Sequence, residues 1–184
     1  MLSFGCSGDP IGADDEGGGN GGAEAGDTGV PSTGDCDATR GWDAQWAALE
    51  DEVLRIVNQH RSAGASCGSE GSFGPAPALV MQSNLRCAAR LHSMDMVERN
   101  YFAHDNPDGQ SPWDRMEEAG YTNWRTVGEN IAAGSPGAEG TMDQWMNSPG
   151  HCANLMNPDF TEIGVGYYPG GSYGHMWTQK FGRR

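Results

Sequence analysis

The chain has 184 residues, enough for one domain of ordinary size and a tail. Its formal net charge at pH 7 is −14. This charge argues against nucleic acid and anionic membrane surfaces as partners, because both require a basic patch. The sequence contains no apolar run of about 18 residues and so predicts no membrane-spanning helix.

The N-terminal part of the chain has an unusual composition. Residues 1–41 hold eight acidic side chains against one basic side chain, Arg40, and twelve of the 29 glycines. Large apolar side chains are scarce there, so the segment cannot bury enough surface to offset the entropy lost on ordering. We therefore predict a disordered acidic linker over residues 1–41 and a folded domain over residues 42–184.

The first residues suggest an envelope location. An apolar stub and a small residue precede Cys6, and a polar Gly- and Asp-rich stretch follows it. This order resembles the end of a bacterial lipoprotein signal, in which Cys6 would carry lipid and residues 1–41 would form a tether. A chance cysteine in a low-complexity leader is the alternative. The predicted location is extracellular or in the cell envelope.

Four further cysteines follow the first one: Cys36, Cys67, Cys87 and Cys152. The chain has no CxxC pair, and the spacings are unlike those of a zinc finger. An even set in an exported chain favours structural disulfides, with three connectivities left open. Buried free thiols in a cytosolic protein are the alternative.

Helices dominate the first two thirds of the predicted domain. Apolar residues recur every three or four positions over residues 42–60, which predicts an amphipathic helix. A second helix is predicted over residues 81–99. A third should begin at Ser111, which would cap it, and end at Gly120. A short fourth helix is predicted over residues 138–147.

Strands are predicted near the C-terminus. Polar and apolar residues alternate over residues 161–168, and a partner strand is predicted over residues 174–181. The Pro- and Gly-rich residues 169–172 would form the hairpin loop between them. Helices followed by paired strands indicate an α+β fold.

Histidines and one glutamate are the candidate functional residues. His60 and His92 lie within helical patterns and are interpreted as packed or surface residues. His104 and His151 are expected in loops beside helix ends, where scaffolds commonly present functional groups. Glu129 enters an apolar run and therefore needs partners, for which histidines are suitable.

At this point a resemblance to a known family becomes specific. Five motifs occur in a fixed order between residues 101 and 182: YFAHDNPDG (101–109), GENIAAG (128–134), WMNSPGHCANLM (145–156), FTEIGVG (160–166) and WTQKFG (177–182). Together they resemble the bacterial variant of the CAP superfamily, also called SCP-like, which includes cysteine-rich secretory proteins, antigen 5 and pathogenesis-related proteins. The resemblance covers residues 46–184. It implies a three-layer α-β-α sandwich with a central, mostly antiparallel sheet.

The resemblance also implies a cleft built around two histidines and two glutamates. His104 matches the first histidine, Glu129 the first glutamate and His151 the second histidine. Ser148 stands where the second glutamate is usual, so the tetrad is incomplete. Glu162 is a possible substitute, although a structural role for it is favoured.

Some members of this family bind a divalent cation such as zinc through the histidine pair. The resemblance therefore implies His104 and His151 as metal ligands, with Glu129 as a third candidate. The missing carboxylate should weaken such a site. No other cofactor is expected.

Three functions remain open from the sequence. The favoured one is a non-enzymatic binding module for a small ligand, a lipid or a protein, because family members include secreted effectors and lipid binders. The second is a hydrolase such as a peptidase, with His104 or His151 as general base, Glu129 orienting it, and Ser148 or metal-bound water attacking. Ser148 is interpreted as a helix-end residue instead. The third is a structural envelope protein.

Overall fold

A computed structural model describes residues 34–184. Five α-helices occur in this range: α1 (Ala44–Ala63), α2 (Ser83–Glu98), α3 (Pro112–Glu118), α4 (Ala138–Met146) and α5 (Pro149–Met156). Six strands accompany them: β1 (Ala65–Ser66), β2 (Ser72–Phe73), β3 (Val80–Met81), β4 (Thr126–Ala133), β5 (Glu162–Pro169) and β6 (His175–Arg183). The predicted lipid tether at Cys6 lies outside the described residues.

Local sequence signals account for the ends of the helices. The Asp43 carboxylate accepts hydrogen bonds from the backbone N–H groups of Gln45 and Trp46 and so caps α1. At α3, Ser111 and Asp114 form a reciprocal capping box, and Pro112 is the first residue of the helix. The predicted cap at Ser111 is therefore confirmed.

The main sheet has four strands in the order β3-β5-β6-β4. β3 pairs with β5 in parallel, and the other two pairings are antiparallel. β1 and β2 form a separate antiparallel pair. The predicted hairpin is confirmed as β5 and β6. β4 forms one edge of the main sheet.

Helices cover both faces of the sheet. α2 packs so closely on β5 that an added Cβ would lie 2.0 Å from the Leu85 carbonyl carbon at Gly164 and 2.3 Å from that of Ala89 at Gly166. The alternate residues Ile163 and Val165 point to the other face and join the core formed with α1, α4 and α5. The predicted α-β-α sandwich is confirmed.

A buried carboxylate joins the two layers of helices. Glu50 of α1 is fully buried and accepts hydrogen bonds from Arg86 and Arg90 of α2. It also accepts one from the backbone N–H of Tyr167 in β5. Two guanidinium groups and a peptide N–H thus offset the cost of burying this charge.

The folded domain begins upstream of the predicted boundary at residue 42. Cys36 forms a disulfide with Cys87 of α2, and Thr39 is fully buried. The N–H of Asp35 donates to the carbonyl of Glu118 (3.0 Å). A covalent bond to α2 therefore holds a segment whose composition alone indicates a linker.

The second disulfide joins Cys67 to Cys152 of α5. Of the three open connectivities, the chain adopts Cys36–Cys87 together with Cys67–Cys152. The prediction of disulfides is confirmed. No helix within residues 34–184 has both the length and the apolar character needed to cross a membrane.

Candidate functional site

Glu129 is placed by the edge strand β4, an element that the sequence interpretation did not identify. Its neighbour across the antiparallel pair is Lys180 of β6. The Glu129 side chain is 1% exposed, and that of Lys180 is 0% exposed. A carboxylate sealed in this way must be matched by charges within the protein.

Four basic side chains surround the Glu129 carboxylate. Oε1 lies 2.7 Å from His104 Nδ1 and 3.9 Å from His92 Nε2. Oε2 contacts the Lys180 ammonium and lies 3.3 Å from an Arg115 guanidinium nitrogen. Burial alone would raise the pKa of Glu129, but Lys180, His104, His92 and Arg115 together lower this pKa to about 2. The group is therefore an anion at neutral pH.

The two groups deepest in this cluster have lowered pKa values. Burial is the main cause at His92, and the nearby Lys180 and Arg115 add to it, so that the His92 pKa falls to about 3. Neutral His92 donates from Nε2 to the carbonyl of Ala103 (3.1 Å). Burial also lowers the pKa of Lys180, to about 8, against the opposing attraction of Glu129.

His104 is the exposed member of the cluster, with 51% of its side chain accessible. The Glu129 carboxylate only accepts hydrogen bonds, so the His104 proton lies on Nδ1 and the lone pair of the neutral ring lies on Nε2. Arg115 donates to the backbone carbonyl of His104 (2.5 Å) as well as to Glu129. Arg115 thus fixes both the histidine and its carboxylate partner.

His151 lies in the first turn of α5, which corrects the prediction of a loop. Pro149 is the first residue of this helix, and Ser148 precedes it without a side-chain capping bond. Pro149 and Gly150 thus begin a further helix directly after Ser148, the residue interpreted as a helix end. Burial lowers the pKa of the half-buried His151, and the His104 ring lowers this pKa further when it is protonated.

An amide network fixes α5 against β4. Asn154 donates to the Asn130 side-chain oxygen (2.9 Å) and to the Glu129 carbonyl (3.3 Å). Asn130 in turn donates to the carbonyl of His151 and to Gln179 (both 3.1 Å). This network determines where His151 stands relative to β4.

Two cavities lie along β4. The first has a volume of about 410 Å³ and is lined by His104, Trp113, Asn154 and residues 127–129. The second, of about 310 Å³, includes His151 and Ser148 in its lining. Because residues 131–133 line the second cavity, the two follow each other along the strand. We call them together the edge cleft.

Aromatic rings border the edge cleft. Trp113 belongs to the first cavity, and Phe102 and Tyr173 belong to the second, where their ring centroids are 5.8 Å apart. Among the described residues, four large hydrophobic side chains are exposed, and these three are among them (39%, 41% and 45%). The fourth, Val80, lies on β3 at the opposite edge of the sheet.

The residues of the cleft do not fit a tightly held zinc ion. Within residues 34–184 no group of three or more His, Cys, Asp or Glu side chains is placed to hold a metal. The Glu129 carboxylate is already occupied by its four basic partners, which leaves His104 and His151. Zinc sites in enzymes commonly have three protein ligands.

Glu162 does not complete the tetrad. It accepts a hydrogen bond from the Tyr121 hydroxyl (2.6 Å) and pairs with Arg184 (3.1 Å), and it lines neither cavity of the edge cleft. Its favoured interpretation as a structural residue agrees with these contacts. Ser148 lines the cleft, but no hydrogen bond joins it to either histidine in the described part of the chain.

Sequence reasoning missed three partners of Glu129. Arg115 and Lys180 lie within predicted elements whose burial was not foreseen, and His92 was interpreted as a packed or surface histidine. His92 is indeed buried, but it also faces the Glu129 carboxylate. A buried carboxylate such as that of Glu129 needs a cation as a partner. This need is the one signal in the sequence that could have indicated Lys180.

Comparisons with known proteins agree with this architecture. The profile of the Cysteine-rich secretory protein family (CAP) matches residues 54–181. The YkwD protein of Bacillus subtilis is 40% identical over 135 residues, which are 73% of this chain and 47% of YkwD. The chain thus spans less than half the length of that relative.

Two solved structures are also similar to this chain. An extracellular protein of Bacillus anthracis that contains an SCP domain superposes with a TM-score of 0.64 at 30% identity, over 75% of this chain and 41% of that one. An outer surface protein of Borrelia burgdorferi shares the fold, with a TM-score of 0.58 at 19% identity, over 75% of this chain and 91% of that one. This chain belongs to the cysteine-rich secretory protein, or CAP, family.

Proposed function

We propose that this domain is a non-enzymatic binding module of an exported or surface-tethered protein, and that its edge cleft receives a small amphiphilic ligand. The observation that carries the proposal is the placement of exposed aromatic rings. Of the four exposed large hydrophobic side chains of residues 34–184, Trp113 lines the first cavity of the cleft, and Phe102 and Tyr173 line the second. Clustered exposed apolar side chains favour ligand binding, because a ligand removes them from water.

The polar groups of the cleft indicate which polar group the ligand should carry in addition to its apolar part. His104 is held by Glu129 with Nε2 as an acceptor, so it suits a ligand hydroxyl or amine. His151, half-buried in the second cavity, offers a second imidazole. A ligand that suits both the aromatic and the polar groups of the cleft has an apolar body, which contacts Phe102, Trp113 and Tyr173. It also has one hydroxyl, which lies near His104. A sterol-like or other lipid-like molecule has this chemistry.

Export is supported by the two disulfides, which persist in oxidising compartments. The SCP protein of Bacillus anthracis is described as extracellular, which is consistent with the same location here. Lipid attachment at Cys6 is part of the proposal. Replacement of Cys6 by Ser should move the protein from the membrane fraction to the soluble fraction of the producing cell.

Binding can be tested with fluorescent lipids. A fluorescent sterol and a fluorescent fatty acid would be titrated into the full chain, with emission recorded on excitation of tryptophan. We expect saturable binding of at least one probe and a loss of affinity in the Phe102→Ala, Tyr173→Ala double variant. The matched control is Val80→Ala, which removes an exposed apolar side chain outside the cleft. Equal loss in both variants would contradict the proposal.

A hydrolase is the second candidate, because the His104–Glu129 pair has the geometry of an oriented general base. Among residues 34–184, however, no nucleophilic side chain lies within hydrogen-bonding distance of His104 or His151. Activity on a peptide and ester panel that disappears in His104→Gln, with the fold intact, would favour the hydrolase over the binding module.

A further inference from the structure

β4 is an edge strand, so one side of its backbone has no neighbouring strand. At the end of its pairing with β6, the Gly134 N–H donates to the His175 carbonyl (2.9 Å). Successive residues of a strand point their N–H and C=O groups to opposite sides, so the even-numbered residues of β4 form the hydrogen bonds to β6. The odd-numbered residues from 127 to 133 therefore turn these groups away from β6.

Two side chains show what this unpaired side of β4 faces. Asn154 donates to the Glu129 carbonyl (3.3 Å), and the indole N–H of Trp145 donates to the Ile131 carbonyl (3.1 Å). Asn154 and Glu129 line the first cavity of the edge cleft, and Trp145 and Ile131 line the second. The unpaired side of β4 therefore faces the edge cleft.

The N–H groups on this side of the strand have no acceptor in the protein. Within residues 34–184, the N–H groups of Glu129, Ile131 and Ala133 donate to no backbone or side-chain oxygen. Glu129 and Ile131 are each 6% exposed, and Ala133 is partly exposed. Backbone N–H groups at such low exposure are almost always hydrogen-bonded. These three donors therefore need acceptors from outside the chain.

The spacing of the donors matches a polypeptide backbone. Residues two apart in a strand are separated by about 6.8 Å, which is also the spacing of the carbonyls on one side of an extended peptide. Residues 127–133 extend over about 20 Å and run along both cavities. A sterol or an acyl chain carries no such row of acceptors. A peptide that adds a strand to the sheet does.

Charges in the lining select the kind of peptide. No lysine or arginine lines either cavity, and Asp105 is exposed in the first. The other carboxylate of the lining, that of Glu129, is paired with its buried basic partners. The whole chain has a formal charge of −14. A terminal carboxylate or acidic side chain would be repelled, so an internal, neutral or basic segment complements the cleft.

We propose that the edge cleft binds an extended, non-acidic peptide segment of another protein, which pairs with β4 as an additional strand. The peptide carbonyls would accept from the N–H groups of Glu129, Ile131 and Ala133. Its apolar side chains would contact Trp113 in the first cavity and Tyr173 in the second. A peptide with apolar side chains is amphiphilic, so this assignment rests on the function proposed for the cleft and names a ligand class for it.

The test uses the full chain and the peptide acetyl-Ser-Phe-Thr-Val-Lys-Phe-Ser-amide, titrated to millimolar concentration while ¹H–¹⁵N spectra are recorded. We expect saturable binding, with the amide protons of Glu129, Ile131 and Ala133 moving downfield as they gain acceptors. Those of Asn130 and Ala132 already donate to β6 and should move little. The same peptide with glutamate in place of lysine should bind more weakly. No saturable shift, or shifts without this alternation, would overturn the proposal.

A variant at the edge then removes one donor. Proline is tolerated on an edge strand where the missing N–H faces away from the ladder, so Ala133→Pro should keep the β4–β6 amide signals. It should weaken peptide binding by about two- to tenfold, the value of one hydrogen bond. The matched control, Ala133→Gly, keeps the N–H and should bind normally. Equal losses in both variants would overturn strand pairing, and the alternating shifts test it even if the proline variant does not fold.

The lipid titration separates this assignment from the function on which it rests. Lipid binding without peptide binding would overturn the peptide assignment and leave the binding module intact. Peptide binding with alternating shifts supports both, whether or not a lipid binds. Failure of both titrations would overturn the edge cleft as a binding site.

Discussion

Lys180 lies directly opposite Glu129 across the β4–β6 pair, and its ammonium contacts the Glu129 carboxylate where neither side chain reaches solvent. Each charge is buried at a cost that the other offsets. Since Glu129 also holds Nδ1 of His104, the buried lysine helps to fix the exposed histidine of the cleft. The pair is therefore important both to the stability of the sheet edge and to the geometry of the site.

The first prediction concerns this pair. Lys180→Met should lower the free energy of unfolding by about 3–5 kcal/mol, because the partner carboxylate stays buried with less compensation. Glu129→Gln should have a similar effect, since it leaves Lys180 and Arg115 facing a neutral amide. Urea denaturation followed by tryptophan fluorescence would measure both changes.

The double variant and a surface pair provide the controls. Lys180→Met combined with Glu129→Gln should cost less than the sum of the single changes, because the double variant contains neither the Glu129 carboxylate without Lys180 nor the Lys180 ammonium without Glu129. Glu52→Gln, which breaks the exposed pair with Arg55, should leave stability nearly unchanged. Additive losses in the double variant would show that the two side chains act independently.

Much of the fold could be predicted from the sequence, because the signals were local. The capping box at Ser111 and the alternation over residues 161–168 depend on neighbours within a few positions. The order of motifs between residues 101 and 182 indicated the layers of the sandwich. β4 was missed because Gly128 and the polar pair after it interrupt the apolar pattern of a strand.

The partners of buried charges were harder to predict, because they come from distant segments. Glu50 lies among the polar residues of an amphipathic helix, yet its carboxylate is buried. It accepts hydrogen bonds from Arg86 and Arg90, which are 36 and 40 residues away in the sequence. Glu129 was recognised as needing partners, and His104 was one of them. The choice of Lys180 depends on strand register, which no local pattern reveals.

The second prediction concerns stability at low pH. Folding lowers the pKa of His92 from 6.5 to about 3, so below pH 6.5 the unfolded chain takes up a proton that the folded chain does not. The free energy of unfolding should therefore fall as the pH drops, by up to about 1.4 kcal/mol per pH unit, until the pH reaches about 3. Glu129, with its folded pKa of about 2, should add to this loss below pH 4.5.

His92→Gln tests the assignment. The variant cannot take up this proton, so the slope between pH 6.5 and pH 4.5 should become shallower, whatever its stability at neutral pH. The pH dependence would be measured by urea denaturation at a series of pH values. An unchanged slope in His92→Gln would assign the acid loss to other groups.

The third prediction concerns the disulfide between Cys67 and Cys152. It joins residues 85 positions apart, and Cys152 is adjacent to His151. Replacement of both cysteines by Ser should lower the free energy of unfolding by about 2–5 kcal/mol. It should also weaken ligand binding in the edge cleft, because α5 loses a covalent attachment next to His151.

The other disulfide provides the comparison. Removal of Cys36–Cys87 should lower stability by a similar amount, since it joins residues 51 positions apart. It should leave binding in the edge cleft unchanged, because neither cysteine lines the cleft. Thermal unfolding and the fluorescent lipid titration would be made on both double variants. Equal effects on binding would show that the disulfides act through global stability.

The last prediction concerns the missing carboxylate at position 148. Ser148 lines the same cavity as His151 and makes no capping bond to α5, so its replacement removes no existing contact of that kind. In Ser148→Glu, a carboxylate would join the imidazoles of His104 and His151, which gives three protein ligands. Even indirect partners of a metal contribute about 10–100-fold in affinity, so zinc binding should strengthen by at least about tenfold. Calorimetric titration of the original protein and the variant would measure the change. Ser148→Gln, which has the same length without the charge, should give little gain. A similar gain with Gln, or a gain that survives His151→Ala, would mean that the cleft does not direct these three side chains to one ion.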